Sequence, residues 1–426
     1  MTDDVLVSGV DAPARGSFSR RALLNGVSAA AVSPLLGGVL PAWADSQPVV
    51  RGARDCESFD PVTVFTPPAG SAVPGVKYGR MARLLDGDDG CGDRGGLGRD
   101  GRRPRTVIAT CENLFDPVEY AYPVFHSVDD GRSWTRVGSV EDADTGAKPR
   151  WQPFLYTLPA PFAGLPRGAL LCAGNAIPAD FSSTAIVVFA SVDGGRRWYQ
   201  RATVAVGGAP DPTNGKTPMW EPFLLLHGGR LCCYYSDQRD PEHAQKLSHQ
   251  VSTDLEHWGP VVTDRADPVY VKRPGMPTVA RLPRNRWIMT WEDGNNTDVS
   301  YGVAYTIAAD PERFAAAVPH LLRTRTGQVP VGSPCVTWSP AGGRNGTIVV
   351  SAGGPDAASD GGNDPLFLNR AGGAADGWTA IPSVVPRGYS RQIQAFGHSD
   401  IAGISGGAGA LKTLNSLTYG RDALPR

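Results

Sequence analysis

The amino-acid sequence predicts an all-β fold, a six-bladed β-propeller, on three observations. The 426-residue chain carries 52 Gly and 37 Pro, together about one residue in five against a usual ~12%. A short turn signature recurs at nearly regular spacing. A second pattern, an apolar strand entered through a short polar start, recurs six times along the chain.

The composition excludes other classes. Helix breakers at that density rule out long helices and coiled coils. With 10 Trp, 13 Phe and 12 Tyr to bury, the chain is not a disordered polyelectrolyte. A formal net charge of −1 argues against a nucleic-acid binder, which needs a basic face. Many short elements joined by many turns describe a sandwich, barrel or propeller.

Residues 1–44 read as an export segment. Ser19-Arg20-Arg21-Ala22-Leu23-Leu24 precedes a mildly apolar run from Val27 to Leu40, and Ala42-Trp43-Ala44 closes it with an A-x-A cleavage pattern. This resembles a twin-arginine signal. The run is too short and too mild for a stable membrane span. Residues 45–77 follow as an N-terminal extension or closing segment, and residues 78–426 as the propeller. The seven cysteines stand at 56, 91, 111, 172, 232, 233 and 335, with no C-x-x-C pair, so zinc and thioredoxin-type sites are not expected. Cys111, Cys172, Cys232 and Cys335 lie in apolar runs and read as core. Cys56 and Cys91 lie in loops, where a pairing stays open.

The turn signature is Ser127-Val128-Asp129-Asp130-Gly131-Arg132-Ser133-Trp134, repeated as Ser191-Val192-Asp193-Gly194-Gly195-Arg196-Arg197-Trp198. Ser252-Thr253-Asp254-Leu255-Glu256-His257-Trp258 is a shorter third copy. The Asp can accept backbone N–H groups inside a hairpin turn, Gly supplies φ > 0, and Trp packs beneath it. These turns resemble the Asp-box, or BNR, repeats of sialidase-type propellers. The spacing is long for a WD-repeat blade and suits blades with long loops. Blade starts fall at Arg80, Gln152, Glu221, Gly275, Ser333 and Arg391. In blade one the hairpin is swollen by a Gly-, Asp- and Arg-rich insert, residues 86–105, expected to be a surface loop.

In an antiparallel hairpin, the start of the first strand and the end of the second lie at one end. One rim of the propeller should therefore gather Arg80, Gln152, Glu221, Arg273, Ser333, Tyr389 and Arg391. Glu112, Asn175, Asp237, Arg239 and Glu292 should arrive from the second strands. Such a ring of acids and arginines suits a polyhydroxy substrate. Glu221 and Glu292 are flanked by Trp220 and Pro222 and by Trp291. Apolar flanks raise a carboxylate pKa by desolvation and keep one acid protonated. Glycoside hydrolysis uses two such carboxyl groups. From position alone, either Glu could equally serve only to pair with a rim Arg.

A long series of segments then narrows the reading. Met219-Trp220-Glu221-Pro222-Phe223-Leu224, Tyr234-Tyr235-Ser236-Asp237-Gln238-Arg239-Asp240-Pro241, Arg273-Pro274-Gly275-Met276-Pro277 and Ile288-Met289-Thr290-Trp291-Glu292 resemble the exo-α-1,5-L-arabinanases of glycoside hydrolase family 93. That family belongs to the sialidase-like superfamily. The resemblance is densest over 218–294 and thinner from Tyr78 to about Ser405. It implies a retaining enzyme that releases arabinobiose from the non-reducing end of linear arabinan. It implies Glu221 and Glu292 as the catalytic pair, with Glu221 as nucleophile and Glu292 as acid/base, an order that stays reversible. It implies Tyr389 as the residue orienting the nucleophile, and Arg80, Asp237, Arg239 and Arg273 as binders of sugar hydroxyls. Gln152 and Arg391 join the substrate-binding set from the rim. Asp293 departs from the expected pattern, and a second carboxylate beside Glu292 is expected to raise its pKa further.

Two other readings remain. An exo-sialidase needs three Arg around a carboxylate and a Tyr–Glu pair, which Arg80, Arg273, Arg391 and Tyr389 could supply, although the R-I-P start is missing. A non-catalytic glycan-binding propeller would leave Glu221 and Glu292 dispensable. Gly403-Ile404-Ser405-Gly406-Gly407 matches G-x-S-x-G, but no helix pattern and no His follow it, so it reads as a loop. The expected protein is secreted or periplasmic and monomeric. It acts on a polysaccharide or oligosaccharide, with no nucleic-acid partner, no membrane partner after signal cleavage, no cofactor and no metal.

Overall fold

The computed structural model describes residues 58–425 apart from 69–70, 72–74, 86–105, 114–119, 354–363 and 407–415. The export segment, Cys56, Cys91 and the blade-one insert lie outside the described residues.

The described residues form β-strands and two short 3₁₀ turns. Strand β1 (Phe59–Phe65) comes first among the described strands and pairs with the last of them. The first sheet is β2 (Lys77–Arg83), β3 (Val107–Glu112), β4 (Tyr122–Ser127) and β5 (Thr135–Val140). The second is β6 (Trp151–Thr157), β7 (Leu170–Ala176), β8 (Thr184–Ser191) and β9 (Tyr199–Gly207). The third is β10 (Met219–His227), β11 (Arg230–Asp237), β12 (Lys246–Ser252) and β13 (Val262–Arg265). Next comes an eight-stranded sheet. Its first half is β14 (Arg273–Leu282), β15 (Arg286–Gly294), β16 (Gly302–Ala308) and the short β17 (His320–Leu321). Its second half is β18 (Val331–Ser339), β19 (Thr347–Gly353), β20 (Leu366–Asn369) and β21 (Trp378–Ile381). The last sheet is β22 (Gln392–Ala395), β23 (Asp400–Ser405) and β24 (Leu417–Ala423), with β1 antiparallel to β24 at its outer edge. The sheets thus number five rather than six, because the residue pair Gly302 and Val331 joins β16 to β18.

The first strands close a ring. β2 packs on β6, β6 on β10, β10 on β14, β14 on β18, β18 on β22, and β22 back on β2. This is the architecture of a β-propeller. Apolar clusters fill the spaces between neighbours. Phe154, Leu171, Met219 and Tyr235 bind the second sheet to the third. Met81, Phe125, Ile404 and Tyr419 bind the last sheet to the first. Cys111, Cys172, Cys232, Cys233 and Cys335 are free and buried in this packing.

The Ser-x-Asp turns are built as their residue types dictate. Asp129 Oδ1 accepts Arg132 N–H at 3.1 Å and Ser133 N–H at 2.9 Å, and Ser127 Oγ accepts Gly131 N–H at 2.7 Å. Trp134 Nε1 donates to Gly131 O at 2.9 Å. The second copy repeats this with Asp193, Ser191, and Trp198 on Gly195 O at 2.9 Å. In the shorter third copy Asp254 still accepts Glu256 and His257 N–H at 2.9 and 2.8 Å. Leu255 takes φ 67°, and among the described residues Trp258 Nε1 has no acceptor.

One device repeats at every strand that faces the channel. Tyr78 (φ 49°), Gln152 (59°), Glu221 (54°), Met276 (58°), Ser333 (42°) and Ser390 (58°) are all left-handed. The first five sit in register shifts between Lys77 and Arg80, Trp151 and Phe154, Trp220 and Phe223, Gly275 and Thr278, and Val331 and Cys335. Four are followed by Pro, namely Pro153, Pro222, Pro277 and Pro334. Proline has no N–H to lose where a bulge breaks the ladder. Left-handed non-glycine residues cost of order 1–3 kcal/mol each and concentrate at functional sites.

Candidate active site

The left-handed residues turn their side chains and amides into the mouth of the channel. Glu221, held at φ 54°, is clamped from three directions. Ser236 Oγ donates to its Oε2 at 2.7 Å, Gln152 Nε2 to Oε1 at 3.2 Å, and Tyr78 Oη to Oε1 at a long 3.5 Å. Its own N–H donates to Gln152 Oε1 at 2.9 Å. Met276 N–H donates to Ser236 Oγ at 3.0 Å, which fixes that hydroxyl on Glu221. Burial raises the Glu221 pKa, while Ser236, Met276, Arg273 and Tyr78 pull against it.

Glu292, near the end of β15, has poorer support. The one hydrogen bond to its carboxylate among the described residues comes from Ser333 N–H to Oε2 at 2.7 Å. Burial pushes its pKa up to about 7, with the Glu221 charge adding to the rise. Gly275 pairs with Glu292 across the strands. A Cβ on Gly275 would stand 3.6 Å from Glu292 Oε1 and 3.7 Å from Ser236 Oγ, and Ser236 Oγ is 2.7 Å from Glu221 Oε2. Those three steps, end to end, are the most that can separate the two carboxylates. The same Cβ would stand 2.7 Å from Gln245 Nε2, so a larger residue there would displace the carboxamide that holds Arg273.

Arg273 lies beside both carboxylates and feels both charges. Its guanidinium donates to Asn214 Oδ1 at 2.7 Å, Gln245 Oε1 at 2.8 Å and Gln238 Oε1 at 3.0 Å. Arg80 crosses from the first sheet to the last, donating to Ser390 O and Ser390 Oγ at 2.7 Å each. Tyr389 is exposed at the mouth, edge-on to the Tyr78 ring at 5.3 Å, with Lys77 Nζ 5.5 Å over its face. The hydroxyl on Glu221 is that of Tyr78, with the Tyr389 ring edge-on beside it.

Four expectations need correction. Arg391 is buried and does not reach the mouth. Its guanidinium donates to Ser351 Oγ at 2.8 Å, Asp364 O and Val385 O at 2.9 Å, and Pro365 O at 3.1 Å. Asp237 follows Ser236 on one strand and so faces the other way. It grips Arg239 by two bonds of 2.8 Å, and Arg239 reaches Tyr235 Oη at 3.1 Å and Val206 O at 3.4 Å, on the neighbouring sheet. Gln152 was expected to bind substrate, yet both ends of its carboxamide are engaged by Glu221 and Tyr78. Asp293 also points away from its neighbour, taking Asn296 Nδ2 at 2.6 Å.

Three participants were missed. Tyr78 and Ser236 contact Glu221 directly, and Gln245 holds Arg273. Tyr78 had a readable signal, since Tyr78-Gly79 occupies the slot of Gln152-Pro153 and Glu221-Pro222. Among the described residues, Asp240, Glu242 and His243 bring possible metal ligands within 4.8 Å of one another. Asp240 already holds Lys246 Nζ at 2.5 Å, and His243 Nδ1 lies 2.9 Å from Asp267 O.

Two half-buried carboxyl groups whose pKa values burial raises, one with several donors on it and the other with a single amide, can act as nucleophile or base and as acid. Solved structures place this geometry in a family. The α-L-arabinofuranosidase of Fusarium graminearum, in complex with arabinobiose, is 35% identical, with 86% of this chain and 98% of that one covered and a TM-score of 0.76. The α-L-arabinanase of Penicillium chrysogenum, also with arabinobiose, is 36% identical, with 86% and 99% covered and a TM-score of 0.74. A microbial sialidase, Hz136, shares the fold at 13% identity and a TM-score of 0.55, with 85% of this chain and 68% of that one covered. No protein-family model and no curated protein sequence matches the chain. At that identity and coverage, the chain belongs to glycoside hydrolase family 93, the arabinanase and arabinofuranosidase enzymes.

Proposed function

We propose that the protein is a secreted, monomeric, retaining exo-α-1,5-L-arabinanase that releases arabinobiose from the non-reducing end of arabinan. The observation that carries the mechanism is the unequal support of the two carboxylates. Glu221 accepts side-chain hydrogen bonds from Ser236, Gln152 and Tyr78, which favours its ionised form. Glu292 accepts one amide and is pushed up to about 7, which favours its protonated form near neutral pH. Glu221 therefore attacks the anomeric carbon while Glu292 protonates the departing sugar oxygen. Glu292, now a base, then takes a proton from the water that releases the sugar from Glu221. Arg80, Arg273 and Tyr389 line the mouth where sugar hydroxyls would sit.

The bound arabinobiose of the two fungal relatives supports an arabinan-derived substrate. The eight-stranded sheet reads as two blades joined at Gly302 and Val331, giving six blades around six inner strands. The Ser-x-Asp turns read as Asp-boxes. Residues 1–44 read as the export signal, 45–77 as an extension and closing segment, and 78–426 as the catalytic propeller. Among the described residues no helix is long and apolar enough to cross a membrane.

The test compares wild type with Glu221→Gln and Glu292→Gln on linear 1,5-arabinan and on a sialoside, following the anomer of the first product by NMR. Arabinobiose of retained configuration, lost in both variants, is the expected result. Turnover of the sialoside alone, inverted product, or full activity in either variant refutes the reading.

A further inference from the structure

We propose that Glu112 is a positioning residue for the reaction, acting through Gln152 to set the orientation of the Glu221 carboxylate. This inference rests on the assignment of Glu221 above.

The contacts form a chain from one sheet to the next. Glu112 is the last residue of β3 and lies buried opposite Lys77 of β2. Its Oε1 accepts the N–H of Gln152 at 2.8 Å. That N–H belongs to a left-handed residue with φ 59°, so the carboxylate holds a backbone conformation that glutamine does not favour. The carboxamide it holds is then fully used. Oε1 accepts the Glu221 N–H at 2.9 Å, and Nε2 donates to Glu221 Oε1 and to Tyr78 Oη at 3.2 Å each. Flipping that amide would put NH₂ against the Glu221 N–H, so only one orientation satisfies the set. If Gln152 shifts, both the backbone and the carboxylate of Glu221 shift with it. Misplacement of about 1 Å can cost about 10²-fold in rate.

Glu112 is also within electrostatic reach of the site. Lys77, Arg80, Glu221, Tyr78, Tyr122, Tyr389 and Cys111 are the titratable groups that act on or feel it. Arg273, Tyr78 and Glu292 act on Glu221 or feel its charge. Burial pushes the Glu112 pKa up to about 7 and the Glu221 charge adds to that rise, while the Gln152 N–H, Lys77 and Arg80 pull against it.

The experiment measures kcat and KM for wild type, Glu112→Gln and Glu112→Ala across pH 4–9 on one 1,5-arabino-oligosaccharide. Glu112→Ala is expected to lose about 10- to 100-fold in kcat with KM within about 3-fold. Glu112→Gln keeps an acceptor for the Gln152 N–H and should recover most of that loss. Wild-type kcat in Glu112→Ala, or a loss in Glu112→Gln as large as in Glu112→Ala, overturns the proposal. Where Glu112→Ala fails to fold, Glu112→Asp, whose carboxylate is drawn back from the Gln152 N–H, takes its place, and wild-type kcat in that variant overturns the proposal. Failure of wild type on this substrate refutes the substrate assignment instead, and the same ratios are then read on the furanoside it does hydrolyse.

Discussion

Replacing Glu292 by Gln should stabilise the protein while silencing it, and the gain should depend on pH. Burial raises the Glu292 pKa from 4.5 to about 7. A carboxyl group whose folded pKa lies above its unfolded value destabilises the fold when ionised. The penalty is absent below about pH 4.5, grows as the pH rises toward 7, and is constant above that. At ~1.4 kcal/mol per unit, the full penalty approaches about 3 kcal/mol. Glu292 keeps some exposure to the channel, which reduces this to about 2 kcal/mol. Gln keeps an oxygen for the Ser333 N–H, so the substitution removes the charge and little else. Melting temperatures of wild type and Glu292→Gln at pH 4.5 and pH 8 provide the assay. At pH 8 the variant should melt about 3 °C higher, and at pH 4.5 the two should coincide within a degree or so. An equal gain at both pH values, or none at pH 8, would refute the claim that Glu292 is a strained, desolvated acid.

Two other substitutions separate scaffold from site. Arg391→Leu leaves the acceptors Ser351 Oγ, Asp364 O, Val385 O and Pro365 O without their donor. It should cost about 3 kcal/mol in urea unfolding with KM unchanged, whereas a raised KM at wild-type stability would return Arg391 to the substrate. Tyr78→Phe removes a hydroxyl that lowers the Glu221 pKa. The acidic limb of kcat/KM should move to higher pH with a loss of about 3- to 10-fold in kcat, and an unmoved limb would count against the contact.

Much of the ring was legible because its punctuation is chemical. Pro153, Pro222, Pro277 and Pro334 stand where the ladder breaks, and the aspartates of the turns have no other means of satisfying so many amides. The first and last starts carry Gly79 and Arg391 where the others carry Pro, so their bulges have no marker in the sequence. The left-handed residues there are Tyr78 and Ser390, two positions before Arg80 and one before Arg391, and Gly275 likewise stands one before Met276. A shift of one residue turns a strand's side chain to the opposite face, which is why Arg391 is buried while Ser390 meets Arg80. The same alternation explains Asp237 and Asp293, each correctly placed near the rim but facing away from it. Left-handed backbone at Tyr78, Gln152 and Glu221 has no signature in residue type, since none of the three favours it. Only the closed ring, which aims the Gln152 amide at Glu112 and the Glu221 amide at Gln152, reveals why it persists at those two positions.

The pairing of β1 with β24 has a consequence for how the protein is made and processed. The outer edge of the last sheet is supplied by the start of the chain, so the ring cannot fasten until the final strand has been synthesised. The entropy of closing so long a loop grows only slowly with its length, but non-local pairing of this kind is slow to form. Loss of Phe59–Phe65 would leave the N–H and C=O groups of Leu417–Ala423 bare along one side, an edge that recruits other chains. Proteolytic trimming of the N-terminal region therefore has a hard stop at Phe59, beyond which a closed ring becomes a template for aggregation.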